Sequence, residues 1–221
     1  MSYLVAVLAM SLGAWMAYRG AAGLFPCFTA YLAVLAGSSL FWQPNNPWYC
    51  SHVYPVNAGI LILLLTAATL EWSEYAIVAL CDGSRRYVRA MYAAAAAGLL
   101  MLAWFAPAGE FSRWLAYRQY WMLGLVIICA ATGLYVRLTR TRQFSVVSDH
   151  GTLLLVYLGI SWVLAAAGDG GPVWRFIERT GSNWSLLDFV GLFSTIVLIT
   201  MWFLVFGGYD DRKEPHRGQR A

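Results

Sequence analysis

Long runs of apolar residues, separated by short clusters of charged residues, Gly, Pro and Asn, recur along the whole chain. The runs have roughly the 18 to 25 residues that a helix needs to cross about 30 Å of hydrocarbon. The pattern predicts an all-α polytopic membrane protein, a bundle of seven transmembrane helices within residues 1–208, followed by a short basic tail over 209–221. The predicted helices span residues 2–18, 24–42, 54–80, 88–106, 119–138, 152–167 and 185–207.

Two shorter segments predict helices that lie flat at the outer membrane surface. Between residues 109 and 119, and again between 172 and 180, apolar side chains recur at i, i+3 and i+4 while the arginines fall elsewhere. This spacing is typical of an amphipathic helix in the headgroup region.

Basic residues are distributed unequally between the two ends of the predicted helices. Eleven follow helices 1, 3 and 5 or lie in the tail: Arg19, Arg85, Arg86, Arg89, Arg137, Arg140, Arg142, Arg212, Lys213, Arg217 and Arg220. The opposite side has four: Arg113, Arg118, Arg175 and Arg179. The positive-inside rule then predicts a multi-pass protein of the cell inner membrane with its N-terminus outside and its tail in the cytoplasm.

Composition agrees with a bilayer environment, since 60% of the residues are hydrophobic and only 12% are charged. The net charge of +4 is explained by topology and by anionic lipid headgroups, so membrane lipids are the expected partners and nucleic acid is not. A protein partner or a homo-oligomer stays open. The four cysteines have no spacing suited to zinc, and only Cys50 is predicted on the outer face, so we expect neither a metal nor a structural disulfide.

Ionisable side chains inside a span are expensive, so Glu71, Glu74 and Asp188 are the candidate functional residues. Glu71 is predicted about 25 Å along its helix, near the cytoplasmic border, with Glu74 one turn further on. The first interpretation pairs both with the arginines at 85, 86 or 89. In that case replacing both glutamates with Gln should leave folding nearly unchanged.

Asp188 begins a stripe of small and polar residues with Gly191 and Thr195 on one face of the last helix. At its shallow predicted depth it caps or hydrogen-bonds locally near the outer surface. The alternative makes it one end of a polar path that leads through Asn57 to Glu71. We favour a closed interior without such a path.

The residues that common cofactors and catalytic centres need are missing from the predicted helices. A retinal protein needs a lysine buried in a helix, whereas Lys213 in the tail is the only lysine. His52, His150 and His216 fall in predicted loops or at a span border, so paired haem ligands are missing. We therefore expect no cofactor, no catalytic residue and no enzymatic activity.

Small residues predict where helices touch each other in lipid. Ala30, Ala33 and Gly37 form such a stripe on the second helix, and residues 93–98 supply small side chains on every face of the fourth.

The segment Phe25-Pro26-Cys27-Phe28-Thr29-Ala30-Tyr31-Leu32, following the basic Arg19, resembles an uncharacterised seven-helix integral membrane protein family that is abundant in acidobacterial genomes. In that family a third helix that ends in a glutamate recurs, which Glu71 or Glu74 matches here. Tyr117-Arg118-Gln119-Tyr120 stands where the family usually has Glu-Arg-Ser. The family has no established activity, so the resemblance implies topology only.

Three functions remain in competition. The first is an accessory or scaffolding protein of a bacterial inner-membrane assembly, favoured by the short loops and the many small and aromatic residues. The second is a seven-helix sensor that acts through a partner, and the third is a small proton-coupled transporter that uses the intramembrane carboxylates.

Overall fold

The computed structural model describes residues 2–41, 53–81, 86, 89–90, 93, 110–139, 145–168 and 184–208. Within these ranges the fold is all-α. Its α-helices are α1 (Ser2–Tyr18), α2 (Pro26–Leu40), α3 (Tyr54–Cys81), α4 (Glu110–Thr139), α5 (Ser145–Gly168) and α6 (Trp184–Gly207), with a 3-10 turn at Ala21–Gly23. Four of them contain segments long and apolar enough to cross a membrane: Val56–Val78, Tyr120–Thr139, Val146–Leu164 and Val190–Gly207.

Two helices begin earlier than the sequence predicts. The separate surface helix expected over 109–119 is wrong, because α4 starts at Glu110 and continues without a break to Thr139. Arginines and glutamate near its start were interpreted as a helix end, but charged side chains do not interrupt backbone hydrogen bonding as Pro does. Helix α5 starts at Ser145, so it includes Asp149 and His150.

Two other predicted helices fall largely or wholly outside the described residues. The second surface helix, over 172–180, lies entirely outside them. Of the fourth predicted span, residues 89, 90 and 93 are described and are helical.

The chain divides into two compact units. The first comprises Met1–Trp72, Ser145–His150 and Thr195–Ala221, and the second comprises Ser73–Phe144 and Gly151–Ser194.

In the first unit, α1 and α2 pack against each other through a tight connection. Gly20 adopts a left-handed conformation with φ of 76°, which a glycine reaches without the steric cost that a Cβ would bring. Helix α3 runs antiparallel to α2. Its first residues reach the end of α2, where the Ser38 hydroxyl lies 2.8 Å from Asn57 Oδ1, and its later residues reach the start of α2 through Glu71.

The core of this unit consists of bulky side chains instead of the predicted stripe of small residues on α2. Ala30 and Ala33 are exposed, so the prediction that they mediate a helix contact within this chain is wrong. The buried face of α2 carries Phe28, Tyr31, Leu32 and Ala36. Helices that meet through side chains of this size need no close backbone approach at residues 30 and 33.

In the second unit, the core includes Met122, Leu125, Cys129, Val136, Leu154 and Leu158. The Cys129 thiol lies 3.7 Å from the Gly151 carbonyl oxygen. Gly191 packs closely, since a Cβ added there would lie 3.2 Å from Leu164 Cδ1. This agrees with its place on the predicted contact face of the last helix.

Candidate functional site: a buried polar and aromatic cluster at the start of α2

The carboxylate of Glu71 lies at the first turn of α2. It accepts hydrogen bonds from the backbone N–H of Cys27 at 3.0 and 3.2 Å and from that of Phe28 at 3.3 Å. Helix α2 needs this partner because Phe25, at the N-cap position, has no side-chain oxygen and Pro26 has no N–H. Glu71 therefore supplies, from α3, the cap that the local sequence lacks.

The charge of Glu71 suits this position. The N-terminus of a helix carries a partial positive charge, and hydrogen bonds from backbone N–H groups to a carboxylate are stronger than those to a neutral acceptor. Residue Glu71 is only partly exposed, so few water molecules compete for these oxygens.

His150 lies next to the same end of α2 and is fully buried. Its ring centroid is 4.5 Å from that of Phe25, 4.8 Å from that of Phe28 and 5.4 Å from that of Phe206. Trp202 completes the group, with its ring 4.7 Å from that of Phe28. We call these five residues, His150, Phe25, Phe28, Trp202 and Phe206, the His150 cluster.

One hydrogen bond fixes the protonation of the His150 ring. The indole N–H of Trp202 donates to His150 Nδ1 over 3.0 Å. A ring nitrogen that accepts a hydrogen bond carries no proton, so the imidazole in this contact is neutral with its proton on Nε2. The Nε2–H group is buried without an acceptor among the described residues.

Two further hydrogen bonds link helices around the cluster. The guanidinium of Arg19, just after α1, donates to the carbonyl oxygen of Gly207, the last residue of α6. The indole N–H of Trp72 on α3 donates to the carbonyl oxygen of Val147 on α5 over 2.8 Å. Helices α1, α3, α5 and α6 are thus linked by polar contacts at the end of the unit where α2 starts.

The predicted site residues have different partners. Glu71 contacts the α2 backbone through the N–H groups of Cys27 and Phe28. Glu74 instead lies 3.4 Å from Arg89, whose side chain is 71% exposed. An ion pair with so much solvent contributes at most about 1 kcal/mol. The two glutamates, one turn apart in sequence, therefore differ in role.

Asp188 lies in the first turns of α6, but its side chain is outside the described residues. The expected local hydrogen bond of Asp188 and the absence of a polar path to Glu71 stay predictions. Asn57, the proposed intermediate point, contacts Ser38 near the other end of α2.

His150 was not predicted from the sequence as a buried site residue, although the spacing of its neighbours indicates it. If the sixth predicted helix is extended back to residue 145, then Val146, Val147, His150 and Leu154 fall on one face at helical spacing, and all four are buried. The polar pair Asp149-His150 was interpreted as a loop, which placed this residue outside the helix.

The His150 cluster offers one imidazole N–H, and the capped carboxylate of Glu71 lies beside it at the start of α2. Among the residues that the structure describes, no three His, Cys, Asp or Glu side chains are grouped so that they could hold a metal ion. No protein-family model, curated protein or solved structure matches this chain. The resemblance to the acidobacterial family accordingly stays a prediction.

Proposed function

We propose that this chain is an accessory or scaffolding subunit of a bacterial inner-membrane assembly, with no catalytic centre of its own. The proposal rests on one observation: the Glu71 carboxylate accepts hydrogen bonds from two backbone N–H groups in the first turn of α2 and so holds that turn in place. Arg19 similarly holds the last carbonyl group of α6. These charged groups fix helix ends and so give a rigid frame.

A proton-coupled transporter would use such a carboxylate differently. It needs a group that binds and releases protons while it faces water from each side in turn. Releasing Glu71 would leave the N–H groups of Cys27 and Phe28 without an acceptor at the membrane border, which costs about 1 to 3 kcal/mol for each buried group. Its fixed position supports a structural role.

The contacts of the first unit also support seven helices. Glu71 on α3 and His150 on α5 both meet residues at the start of α2. The chain therefore leaves α3 on the same side of the membrane on which it enters α5, and must cross an even number of times in between. Helix α4 contains one segment long and apolar enough for a crossing, Tyr120–Thr139. The fourth predicted span, over 88–106, would supply the other.

The same side carries the excess of basic residues, so we place it in the cytoplasm with the tail, and the N-terminus outside. A reporter that is active only in the cytoplasm should work when fused after Arg220 and fail when inserted at Asn46. The measurement is reporter activity normalised to the amount of fusion protein in the membrane. The reverse pattern would overturn the orientation.

The scaffold function is tested by isolating the tagged full chain from its native membrane in mild detergent. We expect a complex of fixed stoichiometry that also forms when tag and detergent are changed, as measured by native mass spectrometry. In parallel, the chain alone in liposomes with a trapped pH dye should collapse an imposed pH gradient no faster than protein-free liposomes. Gradient collapse that Glu71→Gln abolishes, with the variant still folded, would instead establish transport.

A further inference from the structure

Two buried N–H donors at the end of α1 have no acceptor among the described residues. They are Trp15 Nε1 and Arg19 Nε. The residues lie one helical turn apart, and the guanidinium carbon of Arg19 lies 5.5 Å from the centroid of the Trp15 ring. Buried donors almost always have an acceptor, because leaving one unpaired is costly, so two in one place indicate a missing acceptor.

The surroundings of this pair are open on one side. Tyr18 stacks on Trp15 with ring centroids 5.8 Å apart, and its own side chain is 79% exposed. Val7 and Ala14 lie on the same exposed face of α1, below Tyr18 in the direction of the membrane interior. This face is mostly apolar, with the exposed Ser11 between Val7 and Ala14, and it ends near the two donors and a positive charge.

We propose that Trp15, Tyr18 and Arg19 bind the phosphate group of an anionic phospholipid at the border where α1 ends. The indole and guanidinium N–H groups donate to phosphate oxygens, and the positive charge of Arg19 attracts the anionic headgroup. An acyl chain of the same lipid lies along Val7 and Ala14. Trp15 and Arg19 are both partly exposed, so the two donors lie close to the surface of the unit.

The occupant is a lipid because the polar site continues into an exposed apolar face. A soluble phosphate would gain nothing from that face, whereas a lipid covers it. The eleven basic residues on this side of the predicted topology agree with an anionic leaflet. The proposal depends on α1 lying in a membrane and is independent of the scaffold function.

The test is native mass spectrometry of the detergent-purified full chain, titrated with phosphatidylglycerol or phosphatidylcholine. We expect one phosphatidylglycerol to bind more tightly than phosphatidylcholine. Trp15→Phe keeps an aromatic ring and leaves Arg19 and Gly207 unchanged but removes one donor, so it should weaken phosphatidylglycerol binding about threefold to tenfold. Arg19→Gln should weaken it at least as much. Arg137→Gln removes an exposed charge from the same predicted side and should leave binding within about twofold.

Three outcomes would overturn the proposal. Equal phosphatidylglycerol binding by the wild type, Trp15→Phe and Arg19→Gln would remove the site. If Arg137→Gln weakened phosphatidylglycerol binding equally, the binding would depend on general surface charge and not on this site. Complete displacement of the lipid by inorganic phosphate at about 10 mM would show that the acyl chain contributes nothing. Because Trp15→Phe leaves Arg19 and Gly207 unchanged, misfolding of Arg19→Gln does not leave the question open.

Discussion

Replacing Trp202 with Ala is expected to destabilise the protein by about 3 to 5 kcal/mol, the range for removing a large buried aromatic side chain. Trp202 is 1% exposed and packs against Phe28 in the His150 cluster. Its loss opens a cavity and also leaves His150 Nδ1 buried without its donor. In a membrane helix the cost arises from lost packing, because lipid gives little hydrophobic drive for helices to associate. The midpoint of unfolding in a titration with sodium dodecyl sulfate measures it.

Leu204→Ala is the matched control, since it lies two residues further along the same helix with its side chain 76% exposed. We expect this variant to unfold within about 0.5 kcal/mol of the wild type. Trp202→Phe keeps one aromatic ring in place but removes the indole N–H together with part of the ring system. It should cost about 1 to 3 kcal/mol. If Trp202→Ala and Leu204→Ala unfolded at the same midpoint, Trp202 would not be a core residue.

The sequence predicted the helices well where the apolar run coincides with the helix. Helices α1, α3 and α6 begin and end within a residue of the predicted bounds. In each of these the chain changes from apolar residues to Gly, Pro or charged residues close to the point where the helix ends. Helices α4 and α5 were predicted to begin too late because each extends beyond its apolar run into polar residues. The length of an apolar run corresponds to the part of a helix that lies in hydrocarbon. The helix itself can continue into polar residues, because it depends on backbone hydrogen bonds.

The candidate site could be predicted only in part. Intramembrane charge singled out Glu71 as a candidate, and the first interpretation paired it with arginines. The partner could not be found from side-chain types, because it is the backbone of Cys27 and Phe28. The sequence does contain one indication of it: no capping side chain precedes Pro26, so the start of α2 needs an acceptor from elsewhere in the chain. The packing of Trp202 and Phe206 around His150 depends on tertiary contacts between residues far apart in the chain, which periodicity does not reveal.

The contrast between Glu71 and Glu74 gives the second large effect. The sequence suggested that both could be replaced by Gln without consequence, whereas the contacts of Glu71 predict a loss of stability for that residue alone. We expect Glu71→Ala to cost about 2 to 4 kcal/mol, because two N–H groups at the start of α2 lose a charged acceptor in a region poor in water. Glu71→Gln keeps one acceptor oxygen but no charge, so it should cost about 1 to 2 kcal/mol.

The local consequence distinguishes a lost cap from general damage. Hydrogen exchange followed by mass spectrometry should show faster exchange in the first turn of α2, at Cys27 and Phe28, while the middle of α3 around Leu65 stays protected. Glu74→Gln is the control, since its partner Arg89 is largely exposed, and it should change stability by less than about 0.5 kcal/mol. If Glu71→Ala left exchange at Cys27 and Phe28 unchanged, the carboxylate would not be the cap of α2. The proposal of a rigid frame would then lose the observation on which it depends.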